Sequence, residues 1–188
     1  MDNKTTLQKI LDVGQHLIQK NGYNGFSYAD IAEQVGIKKA SIHYYFPSKK
    51  ELVQAVLQQY HKDFLNDLFQ IDQKFNDPVK KLKAFFQLYR NTLDNNSKIC
   101  LCTMMAAEIS SFPEEIRGNI NQFFVDNAKW LENVLAEKKA TENPIQAEDL
   151  RDQARLFLAV AQGAPLLVRT SGNFAQYDSM VDHLLTNL

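Results

Sequence analysis

Residues 26–52 read FSYADIAEQVGIKKASIHYYFPSKKEL and contain the strongest structural signals of the chain. Ser27 followed by Asp30 is a weaker form of a capping box, which predicts that a helix starts at this serine. Gly36 ends that helix after about eight residues, because glycine tolerates the left-handed backbone of a C-cap. A second short helix is predicted over residues 39–45. Two short helices joined by a tight turn predict a helix-turn-helix.

The outward face of the second of these helices has side chains suited to DNA. Ile37 and Ile42 are expected to anchor the helix to the core, which leaves its other residues outside. Lysines neutralise phosphates, while hydroxyl and imidazole groups reach phosphates or base edges. Backbone N–H groups near Ser27 and Ser48 are natural phosphate sites. We therefore predict DNA contacts from Ser27, Tyr28, Lys38, Lys39, Ala40, Ser41, His43, Tyr44, Tyr45 and Lys49.

Some of these residues have a plainer alternative. Lysines on a helix are often merely solvated, and the neighbouring Tyr44, Tyr45 and Phe46 are all candidates for the core. Ile42 and Phe46 lie four residues apart and already form a buried stripe. We therefore interpret Phe46 as a core residue and the two tyrosines as exposed.

The combined pattern of residues 26–52 resembles the TetR family of regulators, with the match extending over about residues 7–57. The resemblance implies a homodimer, usually a repressor, with nine helices and a ligand pocket in the C-terminal domain. It also maps the family's recognition helix onto residues 38–45 and its phosphate-contacting lysine onto Lys49. His43 departs from the pattern, since the family more often has tyrosine there.

The rest of the chain is predicted to be helical, so the fold class is all-α, with an N-terminal three-helix DNA-binding domain and a C-terminal helical ligand-binding and dimerisation domain. The expected boundary places the DNA-binding domain at residues 1–55 and the second domain at 56–188. The periodicity and capping signals predict further helices at Thr5–Lys20, from Ser48 to about Lys74, from Asp77-Pro78 to a break at Asn95-Asn96, Ile99–Ile109, from Ser111 to a loop over residues 138–146, Ala147–Arg169 with a kink or break at Pro165 near Gly163, and Phe174–Leu185.

The second domain is rich in aromatic and sulfur-containing residues, as small-molecule pockets often are. Ordinary core packing is the alternative for each of them, and Glu108 is the acid most suited to orient a ligand. The predicted pocket comprises Phe86, Tyr89, Cys100, Cys102, Met104, Met105, Glu108, Phe123 and Trp130.

Cys100 and Cys102 have three interpretations at this point. They are small buried apolar residues, or a sensor of electrophiles or oxidants, or part of a metal site. A reactive thiol needs a lowered pKa, for which the nearby Lys98 is weak support. Cys-x-Cys supplies only two metal ligands, so we predict no metal.

The last two helices, residues 147–169 and 174–185, are too apolar for a simple surface. Their apolar residues form the dimer interface that the resemblance implies, or alternatively the core of one chain. These residues are Phe157, Leu158, Ala161, Ala164, Tyr177, Met180, Val181, Leu184 and Leu185. Dimerisation is favoured because a helix-turn-helix reads two half-sites one DNA turn apart.

Composition sets limits on the remaining classes of protein. The chain has 188 residues, 45% of them hydrophobic and 23% charged. It has no run of eighteen apolar residues and no apolar signal segment, so we expect no membrane partner and no export. Two cysteines are too few for a disulfide framework, which is consistent with a cytoplasmic location.

The charge is unevenly distributed. Residues 1–60 carry seven lysines against five acidic residues, a net charge of +2, and the remainder carries −3. Any nucleic-acid surface is therefore N-terminal, and the small bias argues against a protein that coats DNA. We find no phosphate-binding glycine loop and no hydrolase or redox motif.

We therefore predict a regulator of transcription with no cofactor and no enzymatic activity. It binds a palindromic double-stranded operator as a homodimer and is released by a small-molecule or electrophile effector. An enzyme and a ligand-independent DNA-binding protein are the alternatives.

Overall fold

The computed structural model of the protein describes residues 4–94, 98–139 and 147–188. Within these ranges the chain forms nine α-helices and no β-strand, which confirms the all-α prediction. The helices are α1 (Thr6–Asn21), α2 (Tyr28–Val35), α3 (Lys39–Tyr45), α4 (Lys49–Lys74), α5 (Pro78–Asp94), α6 (Leu101–Ala106), α7 (Glu114–Lys139), α8 (Ala147–Ser171) and α9 (Ala175–Thr186), with a 3₁₀ turn at Ile109–Ser111.

The ends of the N-terminal helices follow their capping residues. The Thr5 hydroxyl accepts a hydrogen bond from the Gln8 N–H at 3.2 Å and so caps α1. The capping box of α2 is formed, since the Ser27 N–H donates to the Asp30 carboxylate at 2.6 Å. Gly36 ends α2 with a φ of +76°, in the left-handed region that favours glycine. Each of these residues satisfies backbone groups that a helix end leaves without a partner.

Most predicted helices agree with the structure to within two residues at each end. The sixth is the main exception, because the predicted helix over residues 99–109 is instead α6 followed by the 3₁₀ turn. Helix α8 is continuous through Pro165, so the alternative of a break near Gly163 is wrong. The predicted break at Asn95-Asn96 lies outside the described residues. Of the predicted 138–146 loop, residues 138–139 are helical and 140–146 lie outside the described ranges.

The described residues divide into two compact units. The first extends to Asp63 and also includes Leu101–Ile120, and the second comprises Phe64–Cys100 and Asn121–Leu188. In the first unit, α1 packs against α2 and α6, and α2 packs against α3. Its core includes the fully buried residues Ile10, Ile18, Ile31, Ile42, Leu52 and Leu57.

Aromatic residues dominate the core of the second unit. The Phe64 ring meets the rings of Phe85 and Phe123 edge to face, with the Phe64 and Phe123 centroids 5.1 Å apart. The buried ammonium of Lys81 lies 2.7 Å from Glu137 and 3.2 Å from Asp72, so its charge is paired. No helix among the described residues is long and apolar enough to cross a membrane.

Candidate nucleic-acid interface and effector domain

Helix α3 is fixed in the first unit by one buried anchor and one buried end. The Ile42 side chain is fully buried, and Phe46, which ends the helix, is 8% exposed. The interpretation of Phe46 as a core residue is therefore confirmed. A seven-residue helix held by so few residues keeps the rest of its surface available to solvent.

The predicted recognition residues lie on that available surface. Tyr44 is 83% exposed and Tyr45 39% exposed, which confirms the expectation that both are outside the core. Their rings meet edge to face, with centroids 5.3 Å apart. The other residues on this surface are exposed, apart from the half-buried serine, and they are Lys38, Lys39, Ala40, Ser41 and His43.

His43 has a defined local environment despite its exposure. Its Nδ1 lies 3.3 Å from the Pro47 carbonyl oxygen, and its ring centroid is 4.8 Å from that of Tyr28. The ring is therefore oriented by its neighbours, and an oriented ring loses less conformational entropy when it binds.

The two serines predicted near phosphate sites cap helices and are exposed. The Ser27 hydroxyl donates to Asp30 at 2.8 Å and accepts from the Ala29 N–H at 3.2 Å. These bonds from Ser27 hold the pKa of the Asp30 carboxyl below its ordinary value. Ser48 and Glu51 form the reciprocal capping box of α4, with the Ser48 N–H 2.9 Å from the carboxylate. The helix start that capping signals predicted at Ser48 is confirmed.

Tyr28 is buried, whereas a side chain that contacts DNA must be exposed. Its ring is buried, at 6% exposure, and its hydroxyl donates to the Phe46 carbonyl oxygen at 2.9 Å. Burial, with a smaller contribution from Glu51, raises the pKa of Tyr28 to about 12. The prediction is wrong for this side chain, because its polar atom bonds the end of α3 from inside.

Lys49 also differs from the expected phosphate contact. Its ammonium donates to the carbonyl oxygens of Tyr23 and Phe26, and it lies 4.0 Å from the Phe26 ring centroid. Burial lowers the pKa of Lys49, while Glu108 and Asp30 oppose that change. The ammonium is thus engaged with the loop between α1 and α2 in this structure.

Glu108 was expected to orient a ligand, and the structure gives it another set of partners. Its carboxylate accepts from the Tyr23 N–H at 2.7 Å and from the Asn24 N–H at 3.2 Å. It therefore binds the same loop as Lys49. The predicted pocket residues Cys102, Met104, Met105 and Glu108 all belong to the first unit, whereas Phe86, Tyr89, Cys100, Phe123 and Trp130 belong to the second.

Both cysteines are buried, and neither forms a disulfide. Cys100 is 1% exposed and Cys102 is fully buried, which favours the apolar interpretation over a sensor that needs access. Among the described residues there is no group of three or more ligands that could hold a metal ion.

The aromatic residues predicted to line the pocket pack against one another. The Tyr89 hydroxyl accepts from Gln162 at 2.9 Å, and the Trp130 indole N–H donates to Asp72 at 2.8 Å. Trp130 also stacks on Phe85 at 5.5 Å. Phe86 and Phe123 are almost fully buried. Core packing therefore accounts for these residues as the structure shows them.

Two features of the second unit were missed by the sequence analysis. Asn127 is fully buried; its amide group donates to the Phe123 carbonyl at 2.7 Å, and its Oδ1 has no partner among the described residues. A groove of about 530 Å³ lies along α4 and α5, with Ile71 and Leu88 among its apolar residues and Lys74, Lys80 and Lys83 among its cations. A single polar residue on an amphipathic helix does not indicate by its sequence position that it is buried, and the sequence does not indicate a groove between two helices.

Comparison with known proteins places the chain in a family. The sequence model of bacterial regulatory proteins of the tetR family matches residues 10–56. The C-terminal domain model of LmrA/YxaF-like transcriptional regulators matches residues 78–183. The biofilm operon icaADBC HTH-type negative transcriptional regulator IcaR of Staphylococcus aureus (strain Newman) is 33% identical over 153 residues, which cover 80% of this chain and 78% of that protein.

The chain belongs to the TetR family.

Solved TetR-family structures are similar over nearly the whole length. A regulator from Legionella pneumophila is 32% identical with a TM-score of 0.91, covering 100% of this chain and 98% of that one. A regulator from Agrobacterium tumefaciens is 30% identical with a TM-score of 0.90, covering 97% of each chain. The predicted resemblance is confirmed, and the protein is a TetR-family transcriptional regulator with an N-terminal helix-turn-helix and a C-terminal helical domain.

Proposed function

We propose that this TetR-family protein is a repressor that binds a palindromic operator as a homodimer and releases it when a small molecule binds the second unit. The observation that carries the proposal is the surface of α3, where cationic and hydroxyl-bearing side chains surround one buried anchor, Ile42. The name of the relative IcaR, a negative regulator, supports repression over activation.

The base-reading residues we propose are Ser41, His43, Tyr44 and Tyr45, with Lys38 and Lys39 on phosphates. Hydroxyl and imidazole groups hydrogen-bond to base edges in the major groove, whereas lysine contacts raise affinity with little dependence on sequence. The N–H groups at the starts of α2 and α4 add phosphate contacts beside Ser27 and Ser48.

Operator recognition is tested by fluorescence anisotropy with a duplex from the region upstream of the gene and a scrambled duplex of the same composition. We expect a preference above about a hundredfold, at the low end of specific recognition. Equal and weak binding to both duplexes, with a steep dependence on salt, would instead indicate phosphate contact alone. In that case genomic fragments are screened before the proposal is abandoned.

We further propose that α8 and α9 form the dimer interface. Several residues predicted for this role are buried within the chain, since Phe157, Ala161 and Tyr177 are at most 2% exposed. Other apolar residues of α8 are exposed, namely Leu156 (55%), Leu166 (42%) and Leu167 (62%). Exposed leucines on one helix support burial against a second copy of the chain.

The dimer proposal is tested by Leu167→Glu, with Leu65→Glu as the matched control on α4, where the leucine is 41% exposed. Light scattering should report a monomer for the first variant and a dimer for the second. A buried unpaired charge is costly, so the glutamate should prevent dimer formation. Because the operator is bound by the dimer, the first variant should also lose operator binding. A dimer in both variants would place the interface elsewhere.

For the effector we propose a site beside Asn127 among the aromatic residues of the second unit. A buried polar atom without a partner calls for a water or a ligand, and Asn127 Oδ1 is such an atom within the part of the chain that the structure describes. The effector would donate a hydrogen bond to it and place its apolar part against the rings of Phe123 and Trp130.

The effector site is tested by thermal shift with a compound library, since a ligand that binds only the native state raises the melting temperature. A compound that stabilises the wild type but not Asn127→Leu supports this site. One that loses its effect only in Lys83→Ala would indicate the α4–α5 groove. Such a site binds the compound without turnover, so chemical change of the compound during the assay would favour the enzyme alternative.

A further inference from the structure

The segment Leu101–Ile120 belongs to the first unit, although both of its ends continue into residues of the second. The chain passes from Cys100 into α6 and returns after Ile120 within α7. Inside the first unit α6 packs against α1, and Phe112 is buried, with its ring centroid 4.7 Å from that of Tyr23. This segment is therefore packed within the first unit and is covalently continuous with the second unit at both ends.

Glu108, two residues after α6, makes the most specific contacts of the segment. Its carboxylate accepts from the backbone N–H groups of Tyr23 and Asn24 and from the side-chain amide of Asn24. Gly22, which precedes them, has a φ of +78°, and a Cβ at this position would collide with the Glu108 carboxylate. Only glycine permits both the backbone conformation and the close approach.

Lys49 binds the carbonyl groups of the same loop. Its ammonium donates hydrogen bonds to the carbonyl oxygens of Tyr23 and Phe26. The α1–α2 loop thus has its N–H groups on a carboxylate and its carbonyl groups on an ammonium, and hydrogen bonds to charged groups are the stronger kind. Because Ser27, the N-cap of α2, follows Phe26 directly, the position of this loop sets where α2 begins.

We propose that Glu108 is a positioning residue that fixes the α1–α2 loop, and with it α2 and α3, to the α6 segment, so that a displacement of this segment changes operator affinity. The inference rests on the proposed operator binding. Glu108 does not itself contact DNA under this proposal, and it acts through the loop.

The sign of the expected effect separates positioning from simple electrostatics. Removing a carboxylate near DNA reduces repulsion of phosphates and should by itself raise affinity. We expect Glu108→Ala to lower operator affinity about tenfold, within the range for residues that couple two sites without touching either ligand. Glu114→Gln is the matched control, because Glu114 is an exposed carboxylate of the same unit whose only described partner is Arg117.

Two readouts distinguish positioning from a merely structural role. Stoichiometric titration gives the active fraction of the protein, and the dissociation constant is then measured for that fraction. A structural role lowers the active fraction at constant affinity, whereas positioning lowers affinity at constant active fraction. Glu108→Gln keeps the volume and one acceptor oxygen, so we expect a loss of about threefold, intermediate between wild type and Glu108→Ala; it serves as the deciding variant if the alanine variant fails to fold.

Amide hydrogen exchange tests the coupling directly. In Glu108→Ala the Tyr23 and Asn24 amides should exchange at least about tenfold faster, while amides of α4 are unchanged. Because coupling between two sites is reciprocal, operator DNA should slow exchange within Leu101–Ala106 in the wild type and should not do so in Glu108→Ala.

The outcomes separate this inference from the proposed function. If the wild type shows no specific operator, the proposed function fails first. If the wild type binds its operator and Glu108→Ala binds it equally well, with the same effect of DNA on α6 exchange, the positioning role is refuted and Glu108 is only a local loop contact.

Discussion

Replacing Tyr28 by phenylalanine separates the two roles that this residue could have in DNA binding. The sequence analysis placed Tyr28 among the DNA contacts, whereas the structure buries its ring and directs its hydroxyl to the Phe46 carbonyl oxygen at 2.9 Å. Phenylalanine keeps the ring and removes only the hydroxyl. The substitution therefore tests one hydrogen bond and leaves the packing of the first unit intact.

The expected loss of stability follows from the Phe46 carbonyl oxygen, which has no hydrogen-bond donor in the variant. Phe46 is 8% exposed, so its carbonyl oxygen has little access to water once the hydroxyl is gone. A buried group that loses its partner costs about 1–3 kcal/mol. For a protein of this size each kcal/mol lowers the melting temperature by about 2–4 °C. Tyr28→Phe should therefore melt about 2–12 °C below the wild type, and its operator affinity should change less than about twofold.

The dependence of stability on pH above 10 gives an independent check that the Tyr28 hydroxyl is buried. Burial raises the pKa of Tyr28 to about 12 from the ordinary value of 10.0. A pKa raised in the folded state means that the contribution to stability is complete below pH 10 and is lost as pH rises through about 12. The wild type should therefore lose stability more steeply than Tyr28→Phe over this interval, as measured by urea unfolding at fixed pH.

Tyr44→Phe is the matched control, because Tyr44 is 83% exposed and the loss of its hydroxyl should leave the melting temperature unchanged. The reasoning is refuted if Tyr28→Phe melts with the wild type but binds operator DNA more weakly. That result would mean that the Tyr28 hydroxyl reaches DNA and that the bond to Phe46 is dispensable.

Three further predictions concern the same unit. Lys39→Ala should weaken binding to operator and scrambled duplexes alike, and reduce the slope of log affinity against log salt by about 0.9 for each phosphate that is no longer neutralised, measured by anisotropy. Ser27→Ala removes the N-cap of α2 and should lower the free energy of unfolding by about 1 kcal/mol in chemical denaturation. The bonds from Ser27 lower the pKa of Asp30, so their contribution to stability is present above the pKa of the unfolded state and is lost as pH falls through the pKa of the folded state. Asp30→Asn should therefore lose stability less steeply than the wild type as the pH is lowered. An equal loss of stability in acid for both proteins would contradict this.

Local signals in the sequence were sufficient for the helices of the first unit. Ser27, Gly36 and Ser48 each act on backbone groups within four residues, so the positions of α2 and α4 follow from nearest neighbours. The exposure of Tyr44 and the burial of Phe46 followed from the spacing to Ile42, which is also a local relation. These features were predictable because their causes lie within one or two helical turns.

Two predicted site residues have structural partners far away in sequence. Glu108 binds Tyr23, 85 residues earlier, and Lys49 binds the same residue across 26 positions. A carboxylate beside apolar residues has the same local appearance whether it faces a ligand or a backbone loop. The lack of a side chain at Gly22 is what admits the Glu108 carboxylate, and this long-range contact leaves no signal in the local sequence.

Helix α8 shows a further limit of periodicity. It has apolar residues on more than one face, since Phe157 and Ala161 are buried in the chain while Leu156 and Leu167 are exposed. A pattern of apolar residues shows which faces of a helix are apolar, but it does not show which of these faces packs within the chain. The apolar pattern predicted that the first set forms either the dimer interface or the core of one chain, and burial in the fold identifies the second set as the exposed one.

The engagement of charged residues within the first unit limits how this protein can bind DNA. Lys49 is occupied by loop carbonyl groups, so Lys38 and Lys39 are the exposed cations of α3 and its cap, with Lys50 at the start of α4. Two to three phosphate contacts in each subunit of the proposed dimer predict a slope of log affinity against log salt of about −4 to −5. Such a modest electrostatic component gives weak non-specific binding, and most of the discrimination must then come from base-edge contacts of the α3 side chains. A measured slope near −7 would require about eight contacts, one more in each subunit than the exposed lysines provide, which would mean that Lys49 leaves the α1–α2 loop when the protein binds DNA.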